Sequence, residues 1–204
     1  MENKIQTISS WLGAGSINVF GRPFAGKDTQ GNYLANILGG VMVSSGDILR
    51  KTTDEQVQKI MAEGGIIPME AFERIVPPFF GNPDLNGKPL ILSEVGRLKG
   101  EEQIILKVTS DTNHPTKAVI YLSLSEEVVW ERFDLSQINK DRGNRADDNK
   151  LVLQNRLDKY REKVIPVIEY YRDIGLLIDI DGSPSKEQVT NSIIDALYQK
   201  ATIG

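Results

Sequence analysis

The sequence contains no cysteine and a single histidine. The first absence rules out disulfides and thiolate metal sites. The second makes Ser-His-Asp chemistry improbable, because the lone His114 sits in the turn-like stretch "DTNHPTK". Excess positive charge is missing too: 24 Lys and Arg stand against 28 Asp and Glu, a net charge of −4. A general nucleic-acid or membrane surface needs a basic face, so no nucleic acid and no membrane are expected as partners. No apolar run reaches membrane-spanning length. The N-terminal stretch lacks the basic-then-apolar order of a secretory leader, and a cytoplasmic location is expected.

What is present is the mixture of an ordinary globular chain, 40% hydrophobic and 25% charged over 204 residues, which suggests one domain over 1–204. Five short, β-rich apolar runs stand out: "SINVF" (16–20), "GVMVS" (40–44), "PLILSEV" (89–95), "KAVIYLSL" (117–124) and "LLIDID" (176–181). Near-continuous hydrophobicity marks strands buried on both faces. Helical spacing separates them, most clearly over 148–172, where Leu153, Leu157, Tyr160, Val164, Val167, Ile168 and Tyr171 recur three or four apart. Asp147 and Asp148 are its N-cap candidates, and Pro166 should kink or divide it. Alternating strands and helices imply an α/β fold with a five-stranded parallel sheet and right-handed crossovers. Residues 1–15 read as an N-terminal helical extension, with Ile5, Ile8, Trp11 and Leu12 on one docking face.

The stretch "GRPFAGKDTQ" (21–30) lies directly between the first strand and the helical "DTQGNYLANIL". Strand, glycine loop, helix is the context in which backbone N–H groups and a helix N-terminus converge on a phosphate. Gly21, Pro23, Ala25, Gly26, Lys27 and Thr29 form this candidate nucleotide- or phosphate-binding site, with Lys27 laid across the terminal phosphates. Asp28 sets a carboxylate where a hydroxyl or glycine is usual. Two readings stand: it faces Mg²⁺, a cation that favours oxygen ligands, or it caps its own helix.

The phosphate loop, "SSGDILR" (44–50), "GGIIPME" (64–70), "RADDN" (145–149) with Arg156, and "DGSPSKEQV" (181–189) follow in one order. From about residue 16 to the C-terminus, this series resembles the adenylate kinase family of P-loop nucleoside monophosphate kinases. The resemblance implies a three-layer α/β/α sandwich with a small acceptor-binding insert (about 46–75) and a short lid (about 133–145). It implies ATP as donor, Mg²⁺ as cofactor, a nucleoside monophosphate as acceptor, and a monomer. By the same resemblance Ser45, Arg50, Ile66, Ile67, Arg97 and Glu101 meet the acceptor. Lys27, Arg97, Arg132, Arg145 and Arg156 neutralise the moving phosphoryl group. Arg142 in the lid touches phosphate, and Gly182 and Pro184 touch the donor base. Converging arginines suit this chemistry, which asks for alignment and charge neutralisation rather than covalent work.

Three departures from the family pattern bear on function. Asp28 stands in place of a glycine. Ser93 of "SEVGR" stands where the family has an aspartate, and Glu94 would face the other way on a continuing strand. A carboxylate lost at the strand end could thus be replaced at the phosphate loop. Glu101 stands where the family has a glutamine that reads adenine, unless the register shifts and Gln103 takes that role; an ionised carboxylate only accepts hydrogen bonds and suits guanine's adjacent N–H donors better. AMP is the first expectation, with the base open. Two other readings stay open: a nucleotide-binding protein of the same fold with weak transfer, and a P-loop kinase for another small acceptor.

Overall fold

The computed structural model describes residues 1–62, 66–139 and 149–203. Each apolar run forms a strand: β1 (Ser16–Gly21), β2 (Val41–Ser44), β3 (Leu90–Ser93), β4 (Thr116–Ser123) and β5 (Leu177–Asp181). They make one sheet in the order β2-β3-β1-β4-β5, every pair parallel. The chain therefore builds outward from β1 on both sides. Open α/β sheets bind ligands at the carboxyl ends of the strands where that direction switches, and the phosphate loop leaves β1 at this point.

Strand alternation decides which helices cover which face. Ile17 and Val19 of β1, Ile91 of β3 and Ala118, Ile120 and Leu122 of β4 share one core cluster. Helices α1 (Glu2–Leu12), α2 (Lys27–Ile37), α7 (Glu126–Asn139), α8 (Lys150–Lys159) and α10 (Lys186–Ile203) supply most of the rest, with Ile180 of β5. On the opposite face, Phe20 and Val119 pack with Val167, Ile168 and Tyr171 of α9 (Ile165–Asp173). Leu90 and Leu92 pack there with α3 (Ser45–Arg50), α4 (Glu55–Ala62), α5 (Met69–Phe79) and α6 (Glu101–Asp111). The result is the expected three-layer α/β/α sandwich.

Helix α1 lays Ile8 and Leu12, each 1% exposed, against the body and pairs Lys4 with Asp195 of α10 at 2.6 Å. Apolar burial holds it there, since an exposed ion pair adds little. Helix α10 opens with a reciprocal cap: Gln188 N–H donates to Ser185 Oγ and Ser185 N–H to Gln188 Oε1. The long helix read over 148–172 is divided. Between α8 and α9 runs a π-helical turn, Tyr160–Val164. It precedes Pro166, which has no N–H for the carbonyl of Glu162 four residues back, so the wider turn absorbs the break. The cap of α8 is Asn149, whose side chain accepts the Val152 N–H at 3.0 Å; Asp147 and Asp148 lie outside the described residues. No helix among the described residues is long and apolar enough to cross a membrane.

Candidate functional site

The site begins with a buried amide. Asn18 points from β1 toward the segment beyond β3, donating to Val95 O at 2.7 Å and accepting from Val95 N at 3.4 Å. This pins the chain just after Ser93. Glu94 adopts a left-handed conformation, φ 48°, so the strand does not continue and Glu94 does not simply face the other way from Ser93. Its carboxylate instead turns to the phosphate loop, where Oε1 accepts the Gly21 N–H at 3.3 Å and lies 3.6 Å from Lys27 Nζ.

The loop is shaped as its glycines require. Gly26, the N-cap of α2, sits at φ 89°, a region costly for side chains. At Gly21 a Cβ would meet Leu122 O at 2.9 Å. Phe24 adopts φ 65° without being glycine; its ring meets Phe133 of α7 edge-on at 5.8 Å, and its strained backbone is held from outside. Lys27 folds over this loop and donates to Gly21 O at 2.7 Å and Arg22 O at 3.1 Å. Pro23 and Ala25 are buried beneath it; Thr29 is exposed on the first turn of α2.

Asp28 and Ser93 meet. The Ser93 hydroxyl donates to Asp28 Oδ1 at 3.0 Å, and the Asp28 side chain makes no helix cap, because the cap position is Gly26. The two departures from the family pattern are therefore neighbours in space, both beside the phosphate loop. Among the described residues, no group of three or more His, Asp or Glu side chains could hold a metal by itself.

Arg132, from α7, spans two loops. Its guanidinium donates to Phe24 O at 3.1 Å, Gly182 O at 2.7 Å and Ser183 O at 3.1 Å. The loop after β5 is shaped from within by Asp181, which accepts the Ser183 N–H and O–H at 2.9 and 2.7 Å. Those bonds hold the Asp181 carboxyl below its ordinary range. Gly182 thus flanks the phosphate loop through Arg132, and Pro184, two residues on, is exposed.

The acceptor candidates fall in two places. Ile66, Ile67 and Glu101 line one cavity of about 420 Å³, with Leu98 and the π-helical turn. Glu101 is buried, its Oε2 accepts the Leu98 N–H at 3.1 Å, and desolvation raises its pKa from 4.5 to about 7. Ser45 donates to the backbone carbonyl of Glu94 at 3.1 Å, tying the start of α3 to the turn that carries the phosphate-loop carboxylate. Arg50 pairs with Asp47 on its own helix at 2.6 Å. It lines a different cavity, along the edge of β2 with Phe79 and Asp84, and is not brought against Ile66 and Ile67. Arg97 is exposed at the turn after Glu94, and its charge reaches Glu101. Arg156 lies on the exposed side of α8. Arg142 and Arg145 lie outside the described residues.

Four residues of the site were not singled out from the sequence: Asn18, Phe24, Glu94 as a loop ligand, and Tyr160. Tyr160 is buried in the π-helical turn, and its hydroxyl has no hydrogen-bond partner among the described residues. Burial first, and then the Glu94 charge, raise its pKa well above the ordinary phenol value. A buried asparagine inside an apolar strand and a phenylalanine amid loop glycines were the available clues. His114, by contrast, is buried at the opposite end of the sheet, its Nδ1 2.7 Å from Ala14 O.

Comparison with known proteins agrees with this geometry. The family model for adenylate kinase matches residues 19–176. An adenylate kinase of Parvibaculum lavamentivorans is 32% identical over 182 residues, covering 86% of this chain and 88% of that protein. One of Parasynechococcus marenigrum is 31% identical, covering 87% and 95%. One of a Nocardioides species is 30% identical over 192 residues, covering 88% and 95%.

Proposed function

This chain belongs to the adenylate kinase family, as an ATP-dependent nucleoside monophosphate kinase, and we propose that it transfers the terminal phosphoryl group of ATP to AMP. The observation that carries the reading is the glycine loop at the sheet's switch point. Its lysine is folded over it, and Glu94, Asp28 and Arg132 are gathered around it.

In this reading the backbone of residues 21–27 and the N-terminus of α2 receive the phosphates of ATP. Lys27 exchanges its bonds to Gly21 O and Arg22 O for phosphate oxygens, guided by Glu94. Arg132 keeps the loop after β5 beside the phosphate loop, so that Gly182 and Pro184 bound the donor base. Ile66, Ile67 and Glu101 bound the acceptor base, and Ser45 serves its sugar-phosphate side; Arg50, which lines the other cavity, would have to leave Asp47 to join it. Arg97 and Arg156, with Arg142 and Arg145, complete the positive charge around the transferred group. The segments about 46–75 and 133–145 act as acceptor insert and lid, excluding water from the phosphoryl group.

The residues present fit Mg²⁺. That ion is held by one or two carboxylates together with substrate phosphates rather than by a cage of protein ligands, and Asp28 with Ser93 offers adjacent hard oxygens beside the loop. When bound, Mg²⁺ would neutralise charge on the phosphates. Asp28 would hold it, and Ser93, which donates to Asp28 Oδ1, would fix that carboxylate.

The test is a coupled assay with ATP and Mg²⁺ against AMP, GMP, CMP, UMP and dTMP, with Lys27→Ala as control. Turnover of AMP that disappears in the control is expected. ATP binding without turnover of any monophosphate would overturn the reading in favour of a nucleotide-binding protein.

A further inference from the structure

The cavity beside α6 has an apolar wall and one buried ionisable group. Ile66, Ile67, Pro68, Met69, Leu98 and Pro166 supply the wall. Of its charged members, Lys99 is exposed, and Glu162 and Lys163 pair with each other at 3.3 Å. Glu101, by contrast, is 4% exposed, with Oε2 held by the Leu98 N–H. A planar, aromatic ligand in this cavity would thus meet a carboxyl fixed by the backbone.

Resting on the phosphoryl-transfer reading above, we propose that Glu101 reads the acceptor base as a carboxylic acid, taking adenine while neutral and shifting toward guanine when ionised. A neutral carboxyl offers one O–H donor and retains acceptor capacity. That pair matches a ring nitrogen and the adjacent amino group of adenine. An ionised carboxylate only accepts, and two acceptors match the adjacent N–H donors of guanine.

The groups around Glu101 set which form prevails. Burial favours the neutral form most strongly. The Leu98 N–H and the Arg97 charge and backbone oppose it, and Glu102, next along α6, reinforces it. Lys99 stands at the rim in solvent, and the Glu162–Lys163 pair on the π-helical turn brings no net charge. Of the α5 residues only Met69 lines the cavity. The balance leaves the carboxyl titrating at about 7, so both forms are populated near neutrality.

The experiment is calorimetric titration of the ATP-free protein with AMP and with GMP between pH 6.5 and 8.5, in buffers of differing ionisation enthalpy. Binding alone is read, so turnover is not needed. At pH 8 AMP is expected to take up roughly nine-tenths of a proton and GMP almost none. The AMP-to-GMP affinity ratio should fall about tenfold per pH unit above 7; the ligands' own phosphate titration cancels in that ratio. Glu101→Gln should abolish both the uptake and the pH dependence of the ratio. AMP binding without proton uptake in the unaltered protein, a ratio independent of pH, or uptake that persists in the variant would overturn the proposal while leaving the kinase standing. Binding of neither monophosphate would overturn both.

Discussion

Arg132 offers the sharpest test of how the site is held together. Its guanidinium bonds three carbonyls on two loops: Phe24 on one, Gly182 and Ser183 on the other. Arg132→Met would keep most of the apolar stem and remove the charge and all three bonds. Hydrogen bonds to charged groups contribute about 1.5–3 kcal/mol each. The bond to Ser183 is solvent-exposed and counts for little. The other two are only partly buried, so a combined loss of about 2–4 kcal/mol is expected. For a domain of this size each kcal/mol moves the melting temperature by about 2–4 °C, giving a fall of about 5–15 °C by scanning calorimetry. Part of the loss falls on Phe24, whose left-handed backbone then loses the Arg132 bond to its carbonyl. The KM for ATP should therefore rise more than kcat falls. Arg132→Lys should recover less than half of the stability, because one ammonium cannot span both loops as a planar fork does. A melting temperature within 2 °C of the parent in Arg132→Met, or full recovery with lysine, would refute the idea of a clamp.

Other expectations follow from the same geometry. Asp28→Asn should raise the Mg²⁺ concentration needed for half-maximal activity; an unchanged Mg²⁺ titration would remove Asp28 from the metal site. Ser93→Asp would set two carboxylates about 3 Å apart. It should lower the melting temperature without metal and make it rise with added Mg²⁺, and a metal-independent melt would count against a shared site. Asn18→Leu would leave Val95 O and N buried without partners, at a cost of about 2–4 kcal/mol, read as a lower urea midpoint; a midpoint unchanged from the parent would show that the Glu94 turn does not depend on it. Glu101 binds its proton more tightly folded than unfolded, so its contribution is full below pH 4.5 and is lost as pH rises to about 7. The stability difference between the parent and Glu101→Gln should change across that window, and a flat difference would contradict the raised pKa.

The strands, their parallel pairing and the phosphate loop were legible in the sequence because each rests on local pattern. Strands buried on both faces must be apolar throughout, and a loop that wraps phosphate must carry glycine before lysine. The division of the helix at Pro166 was legible for the same reason, although the π-helical turn that absorbs it was not. The order of the motifs along the chain was enough to point to the family. Glu94 was misjudged, because strand alternation holds only while the strand continues, and Asn18 ends it from a strand 77 positions away. The pairing of Asp28 with Ser93 could be suspected from two coincident departures, but their contact at 3.0 Å depends on how α2 sits against β3. Arg132 was recognised as an arginine of the site, yet its partners lie 108 and 50 residues away. Glu101 carries the same letter in any environment; only burial in an apolar cavity moves its proton into the neutral range. The sequence by itself thus determined the layers and the loop that receives phosphate, since those follow from spacing and backbone freedom. Tertiary structure alone decided which charges face that loop and which proton Glu101 keeps, since charge and desolvation act through space, between residues the chain holds far apart.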